Sequence, residues 1–276
     1  MRTILVTGSS TGIGRAAAVR QARNGWIVYA GVRRDQDARS VEAEHSNIRA
    51  LQLDVTDRRQ IADAVARVER EQEGLDALVN NAGIAYGGPM ELLDSERFRG
   101  VFDVNVFGLQ DMAAACTPLL RRSRGRMILV GSMGGWATRP FVGPYSATKH
   151  AVEAIGNAYR LELAPLGVRV VLVEPGVIRT AIWDKAKEQA HRWVEGEHGD
   201  LGPYRARVER ALARQVTKLG RHTNSPELVA RVIDKALVAH RPKARYAVGL
   251  DAKLIITLKR LLPTSWLDKV IRHAAG

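Results

Sequence analysis

Short apolar runs alternate with helix-patterned stretches along most of the chain, and this alternation restricts the fold more than any other feature. TILVT, WIVYAGV, IRALQL, DALVN, RMILVGS, VRVVLVEP and RYAVG are rich in Val, Ile and Leu and read as strands buried on both faces. Between them, GRAAAVRQARN, DRRQIADAVARVEREQ and SERFRGVFDVNVFGLQDMAAACTPLLRR carry apolar residues at helical spacing. Seven strands joined by helical crossovers predict an α/β fold, a doubly wound parallel sheet with helices on both faces. No repeat, low-complexity tract or linker divides the chain, so residues 1–276 are expected to form a single domain.

Two segments depart from the rhythm. Residues 181–225 contain polar, glycine-bearing text (EGEHGDLGP) and two tryptophans, and a long insertion on the carboxyl side of a strand reads as a substrate loop. The tail, 251–276, is basic and amphipathic. Of the net charge of +13, residues 241–276 carry eight Lys/Arg against two acids, whereas elsewhere the two signs interleave, as in RVEREQE. No zinc-ligand spacing or RNA-binding signature accompanies the charge, so neither a metal nor a nucleic-acid partner is expected. Cys116, the only cysteine, lies in the apolar text DMAAACTPLL and reads as a packed thiol in a reducing compartment. MRTILVTG runs straight into a strand, and no apolar run is long enough to span a bilayer. These features point to a cytoplasmic protein.

The first strand runs into TGSSTGIGR, which places Gly8, Gly12 and Gly14 at a strand-to-helix turn together with Ser10, Thr11 and Ile13. Glycines there let the backbone approach a diphosphate, and the helix N-terminus offers free N–H groups. The second strand ends at Val32, where an acid would bind the ribose hydroxyls of NAD; Arg33 and Arg34 follow instead. Guanidinium groups at that place pair with a 2′-phosphate, so the reading favours NADP (NADPH) over NAD. In the alternative, both arginines are solvated and Asp35 binds the ribose in a shifted turn.

YSATKHAVEAIG sets Tyr145 and Lys149 one helical turn apart. A tyrosine phenol, with a reference pKa near 10, carries protons poorly at neutral pH unless its phenolate is stabilised, and a lysine on the same face can do this while reaching a ribose hydroxyl. Thirteen residues before Tyr145, a strand ends at Ser132, whose hydroxyl can hold a substrate oxygen beside the tyrosine.

TGSSTGIG, NNAG (Asn80 to Gly83), Asn105, Ser132 and Tyr145-x3-Lys149 occur in the order of the short-chain dehydrogenases/reductases, which the first 180 or so residues resemble. The resemblance implies a Rossmann-type fold in which Tyr145 is the general acid/base, Ser132 the polariser of the carbonyl, Lys149 the ribose anchor and Asn105 the holder of a proton-relay water. It further implies that Asp54 and Val55 touch the adenine and that NNAG, through Asn81, Ala82 and Gly83, braces the sheet beneath the cofactor. Pro175, Gly176, Val177, Ile178 and Thr180, from EPGVIRT, would contact the nicotinamide end. Helices over 95–122 and 145–165 are those the family uses to form homodimers and homotetramers. VYAGVRR and NVFG resemble the branch that includes hydroxysteroid and retinol dehydrogenases.

The expected pocket walls carry Tyr86, Trp136, Phe141, Trp183, Trp193 and Tyr204, which argues for a large apolar carbonyl or alcohol as substrate. Packing of a helix by Trp183 and Trp193 is the competing reading of those two. In DAKLIITLKRLL, Leu254, Ile255, Leu258, Leu261 and Leu262 are expected on one face with Lys253 and Arg260 opposite, a pattern that fits peripheral contact with an anionic membrane, or packing on the domain or on another subunit. A ketoacyl reductase acting on carrier-bound chains, and a non-catalytic NADP-binding sensor or scaffold, are the alternative functions.

Overall fold

The computed structural model describes residues 1–197, 199–219 and 224–275, with side chains described outside 185, 187, 214–219, 274 and 275. Residues 198 and 220–223 of the expected substrate loop therefore lie outside the described residues. Seven strands, β1 (Thr3–Val6), β2 (Ile27–Val32), β3 (Ile48–Gln52), β4 (Ala77–Asn80), β5 (Arg126–Val130), β6 (Arg169–Pro175) and β7 (Arg245–Val248), form one sheet in the order β3-β2-β1-β4-β5-β6-β7. Every pairing is parallel, from Thr3 opposite Ile27 to Pro175 opposite Val248, as the strand-helix alternation predicts.

The strands read as continuous apolar runs because the sheet is covered on both sides. Alternate residues serve opposite faces: Ile4, Val6, Val28 and Ala30 pack with α1 (Gly12–Arg23), α2 (Asp35–Glu42) and, further along the chain, the helix at Pro226–Val238. Leu5, Tyr29, Leu78 and Met127 pack with α3 (Arg58–Glu71) and helices of the central part of the chain. The direction of winding reverses between β1 and β4, so a crevice opens at their carboxyl ends.

The stretch from Ser95 to Ser123, which reads as one helix in sequence, is divided: α4 (Ser95–Phe102) passes through a wide π turn at Asp103–Gly108 into α5 (Leu109–Ser123). Gly108 is required where the turn presses on the sheet, since a Cβ there would meet the Val55 carbonyl oxygen at 2.7 Å. The helix α6 (Gly143–Leu163) follows β5. Cys116 is buried in α5 and its thiol is pushed up to about 12 by burial, in keeping with a packed, unreactive side chain.

The insertion is helical rather than irregular. The helices α7 (Ala181–Val194) and α8 (Arg205–Leu219) close on a small core of Trp193, Leu201, Val208 and Leu212. After α9 (Pro226–Val238) and β7 come α10 (Leu250–Leu261) and α11 (Thr264–Ala275), separated at Pro263. The tail's faces differ from the sequence expectation. Ala252 and Ile256 are buried, and Ile255, Leu258 and Leu262 pack on Ala137, Leu267 and Ile271, whereas Leu254 and Leu261 are exposed beside Leu250. The reason is that α10 docks on the loop after β5, which draws inward a face rotated from the leucine-rich one.

Candidate active site

The glycines of the first turn shape a cradle. Gly8 and Gly12 have φ of +67° and +58°, and a Cβ on Gly14 would stand 2.2 Å from the Gly8 carbonyl oxygen. Helix α1 begins at Gly12 with no side-chain cap and no acid in its first turn, leaving N–H groups free to meet an anion. Beneath the cradle, the Thr7 hydroxyl accepts the backbone N–H groups of Asn81 and Ala82, each at 2.9 Å, while Asn81 Nδ2 donates to the Thr7 and Gly8 carbonyls at 3.0 and 3.2 Å. The NNAG segment thus ties β4 to β1. Thr7 escapes a sequence reading because a threonine before a glycine loop has no distinguishing pattern.

A cleft of about 320 Å³ runs along the carboxyl ends of the strands. Its lining brings together Gly8, Ser10, Thr11, Gly12, Ile13, Arg33, Asp54, Val55, Asn81, Ala82, Gly83, Ser132, Tyr145, Lys149, Pro175, Gly176, Ile178 and Thr180 from the sequence-derived set. Gly14, Arg34, Asn105 and Val177 are not among the lining residues, nor is Asp35. Arg34 turns to Asp37, with Nε 2.7 Å from the carboxylate, whereas among the described residues Arg33 meets only Asp54, at 4.0 Å, and keeps most of its surface exposed. Deep cradle, helix N-terminus and a free guanidinium at the tip of β2 together fit a phosphorylated dinucleotide.

Asn105 sits in the π turn and clamps the chain behind the cleft: Oδ1 accepts the Ile84 N–H at 2.8 Å, and Nδ2 donates to the Ile84 carbonyl at 2.8 Å and to Thr148 Oγ1 at 3.0 Å. Thr148 Oγ1 donates in turn to the Tyr145 carbonyl. The π turn is therefore linked to the first turn of α6, where Tyr145 resides.

Ser132 leaves β5 in an extended conformation, its Oγ accepting the Gly134 N–H at 3.1 Å. Its hydroxyl acts on the phenol of Tyr145, lowering the phenol pKa, and both residues line the cleft. Tyr145 and Lys149 are both buried. Burial pushes the phenol pKa up, while the Ser132 hydroxyl and the charge of Arg139 pull it down. The Lys149 Nζ donates to the Val130 carbonyl at 2.8 Å and stands 5.7 Å from the Tyr145 ring centre, and burial lowers its own pKa to about 8. Beside Lys149, Ser132 and Arg139 bear on the phenol, and Arg139 carries no sequence signal of its own.

One turn beyond Lys149, Glu153 joins Glu174 in holding Arg245 of β7, and the like charge of Glu174 adds to burial in raising the Glu153 carboxyl pKa. Trp136 Nε1 donates to Glu174 at 3.1 Å, and the guanidinium groups of Arg245 and Arg260 lie 5.0 and 5.1 Å from the Trp136 ring centre. Trp136 thus supports the serine loop from behind instead of walling the cleft. Of the six aromatics expected there, only Tyr86 and Trp183 line it, and Trp183 meets Tyr145 edge-on at 5.7 Å. Trp193, Phe141 and Tyr204 belong to the core of α7 and α8, where apolar rings find deeper burial.

The family model described as short chain dehydrogenase matches residues 2–191. The NADPH-dependent 3-dehydrocapnine reductase of Ornithobacterium rhinotracheale is 37% identical over 278 residues, covering 98% of this chain and 96% of its own. Human retinol dehydrogenase 16 is 31% identical over 287 residues, covering 97% and 87%. The crystal structure of a short-chain dehydrogenase from Streptomyces avermitilis superposes with a TM-score of 0.79 at 29% identity, covering 99% of this chain and 94% of that one.

Proposed function

We propose that this chain, which belongs to the short-chain dehydrogenase family, interconverts a carbonyl and an alcohol by hydride transfer with NADP(H), acting on an apolar, lipid-, steroid- or retinoid-like substrate. The observation that carries the reading is the gathering of Ser132, Tyr145 and Lys149, all buried, in the lining of the cleft, with Trp183 against the tyrosine ring. NADPH when bound supplies the hydride. Ser132 and Tyr145 hold the substrate oxygen from two directions, and Tyr145 delivers its phenolic proton to that oxygen. Lys149 provides a cation beneath the ribose position and fixes α6 to β5 through Val130. Arg33, free at the β2 tip, supports preference for a 2′-phosphate, and NADPH is named for the Ornithobacterium relative.

Two surface features extend the reading. Phe107 and Leu161 are 58% and 64% exposed on the π turn and α6, the helices through which the family associates, and this supports a homo-oligomer. Leu250, Leu254, Leu261, Trp266 and Val270 are exposed on the tail helices among Lys253, Arg260, Lys269 and Arg272, and this supports peripheral contact with an anionic bilayer. None of the helices described is long and apolar enough to cross a membrane.

The test is consumption of NADPH and NADH against a panel of small polar ketones, steroids, retinoids and long-chain aldehydes. Turnover of apolar carbonyls with NADPH is expected, and better turnover of small polar ketones would overturn the substrate class. Sedimentation velocity of the purified protein and co-sedimentation with phosphatidylserine vesicles test the two surface features.

A further inference from the structure

Arg139 lies in the loop between β5 and α6, seven residues after Ser132 and six before Tyr145. The loop is held in place: Phe141 adopts φ +66°, unusual for a side-chain-bearing residue, and its carbonyl accepts the Gly88 N–H at 2.8 Å. The guanidinium carbon of Arg139 stands 5.9 Å from the ring centre of Trp183, the ring that meets Tyr145 edge-on. The Tyr145 phenol feels its charge. The residue is exposed to solvent, and partial desolvation of its head lowers its pKa. Arg139 is thus an exposed cation at the margin of the cleft, over a ring that lines it.

A guanidinium presents five N–H donors and stays charged at any physiological pH. Arg15, Arg20, Arg34, Arg49, Arg67 and Arg245 all meet carboxylates within 3.2 Å. Arg139 meets none among the described residues. The nearby carboxylate of Asp251, which acts on it only through space, is already engaged by the Val177 N–H at 2.6 Å and by Asn224. A planar cation over an aromatic ring, with no hydrogen bond from its guanidinium among the described residues and the tyrosine nearby, is suited to receive an oxyanion.

We infer that Arg139 binds an anionic group of the substrate, so that the substrate is an apolar-chain carbonyl compound bearing a carboxylate, sulfonate or phosphate a few bonds from its carbonyl. This rests on the reading of the cleft as a carbonyl-reducing site. Arg139 acts in selection and placement, with Ser132 and Tyr145 performing the proton transfer.

The experiment compares a long-chain oxo-carboxylate, oxo-sulfonate and oxo-phosphonate with the neutral ketone of equal length, in wild type, Arg139→Gln and Arg139→Lys. Taking the ratio of kcat/KM for anionic over neutral substrate removes any general effect of Arg139 on Tyr145. In Arg139→Gln that ratio should fall by about tenfold or more, mainly through KM, for whichever anion the site prefers; Arg139→Lys should retain part of it. An unchanged ratio would overturn the inference. If wild type reduces none of these ketones, the carbonyl-reducing reading fails on its own, and binding decides the role of Arg139. Decanoate and decyl sulfonate should then bind the NADP⁺-loaded protein at least about tenfold more tightly than decanol, a difference abolished in Arg139→Gln. Equal binding of the three, or a parallel loss of NADPH affinity in the variant, would refute it.

Discussion

Asp251, at the start of α10, accepts the backbone N–H of Val177 at 2.6 Å across a separation of 74 residues in sequence. Its second carboxylate oxygen takes a hydrogen bond from Asn224, and a Cβ at Gly176 would stand 2.1 Å from that oxygen. The tail is thereby part of the wall at the expected nicotinamide end. Asp251→Ala frees the Pro175–Val177 segment and leaves the Val177 N–H without its charged acceptor. NADPH affinity, followed by fluorescence titration, should weaken by about tenfold while the circular dichroism spectrum is preserved.

The two arginines after β2 differ in what they have left to offer. Arg34 is committed to Asp37, whereas Arg33 lines the cleft with only a distant carboxylate. Arg33→Ala should weaken NADPH binding by about tenfold or more with little change for NADH, since the lost interaction is a charge-assisted contact with the 2′-phosphate. Arg34→Ala should alter neither appreciably. Equilibrium titration of both cofactors against both variants checks the assignment.

Lys149 should reveal itself in stability as well as in turnover. Burial holds its folded-state pKa near 8, below the value of 10.5 for an unperturbed lysine. Between those values the unfolded chain binds more protons than the folded one, so this group adds stability as pH rises from about 8 to 10.5, and at pH 7, charged in both states, it subtracts stability. Lys149→Met is therefore expected to raise Tm at pH 7 by a few degrees while nearly abolishing turnover, with the gain in Tm shrinking toward pH 10. Thermal melts across that range provide the check.

The tryptophans of the insertion separate by role. Trp193 is fully buried in the core of α7 and α8 and donates from Nε1 to the Gly87 carbonyl at 3.2 Å, so Trp193→Ala should cost about 3–5 kcal/mol of stability. Trp183 touches Tyr145 at the cleft wall, and Trp183→Ala should raise KM for apolar substrates with a smaller effect on Tm. Denaturant unfolding set beside steady-state kinetics distinguishes the two.

What sequence alone conveyed followed from local periodicity. The seven strands announce themselves as short Val/Ile/Leu runs, and Tyr145 and Lys149 as an i, i+4 pair, because both signals lie within a few residues. The partners of Asp251 and Arg245 were not legible, since Val177 and Glu153 lie 74 and 92 residues away and only the fold brings them together. Arg139 had no motif; its meaning comes from the absence, among the described residues, of a carboxylate paired with it. The tail's apolar residues were visible, but which of them are covered depends on how α10 docks on the loop containing Ala137. The six aromatics were likewise visible as a set, and their division between cleft and loop core is a tertiary outcome.

The most direct measurement is NADPH oxidation with an apolar carbonyl substrate by wild type and Tyr145→Phe, with the NADPH dissociation constant determined for both. Phenylalanine keeps the ring against Trp183 and removes only the phenolic hydroxyl. The account predicts that turnover falls by about a hundredfold or more with cofactor affinity unchanged, because the lost interaction is made to the transition state. Retained turnover in Tyr145→Phe would contradict it.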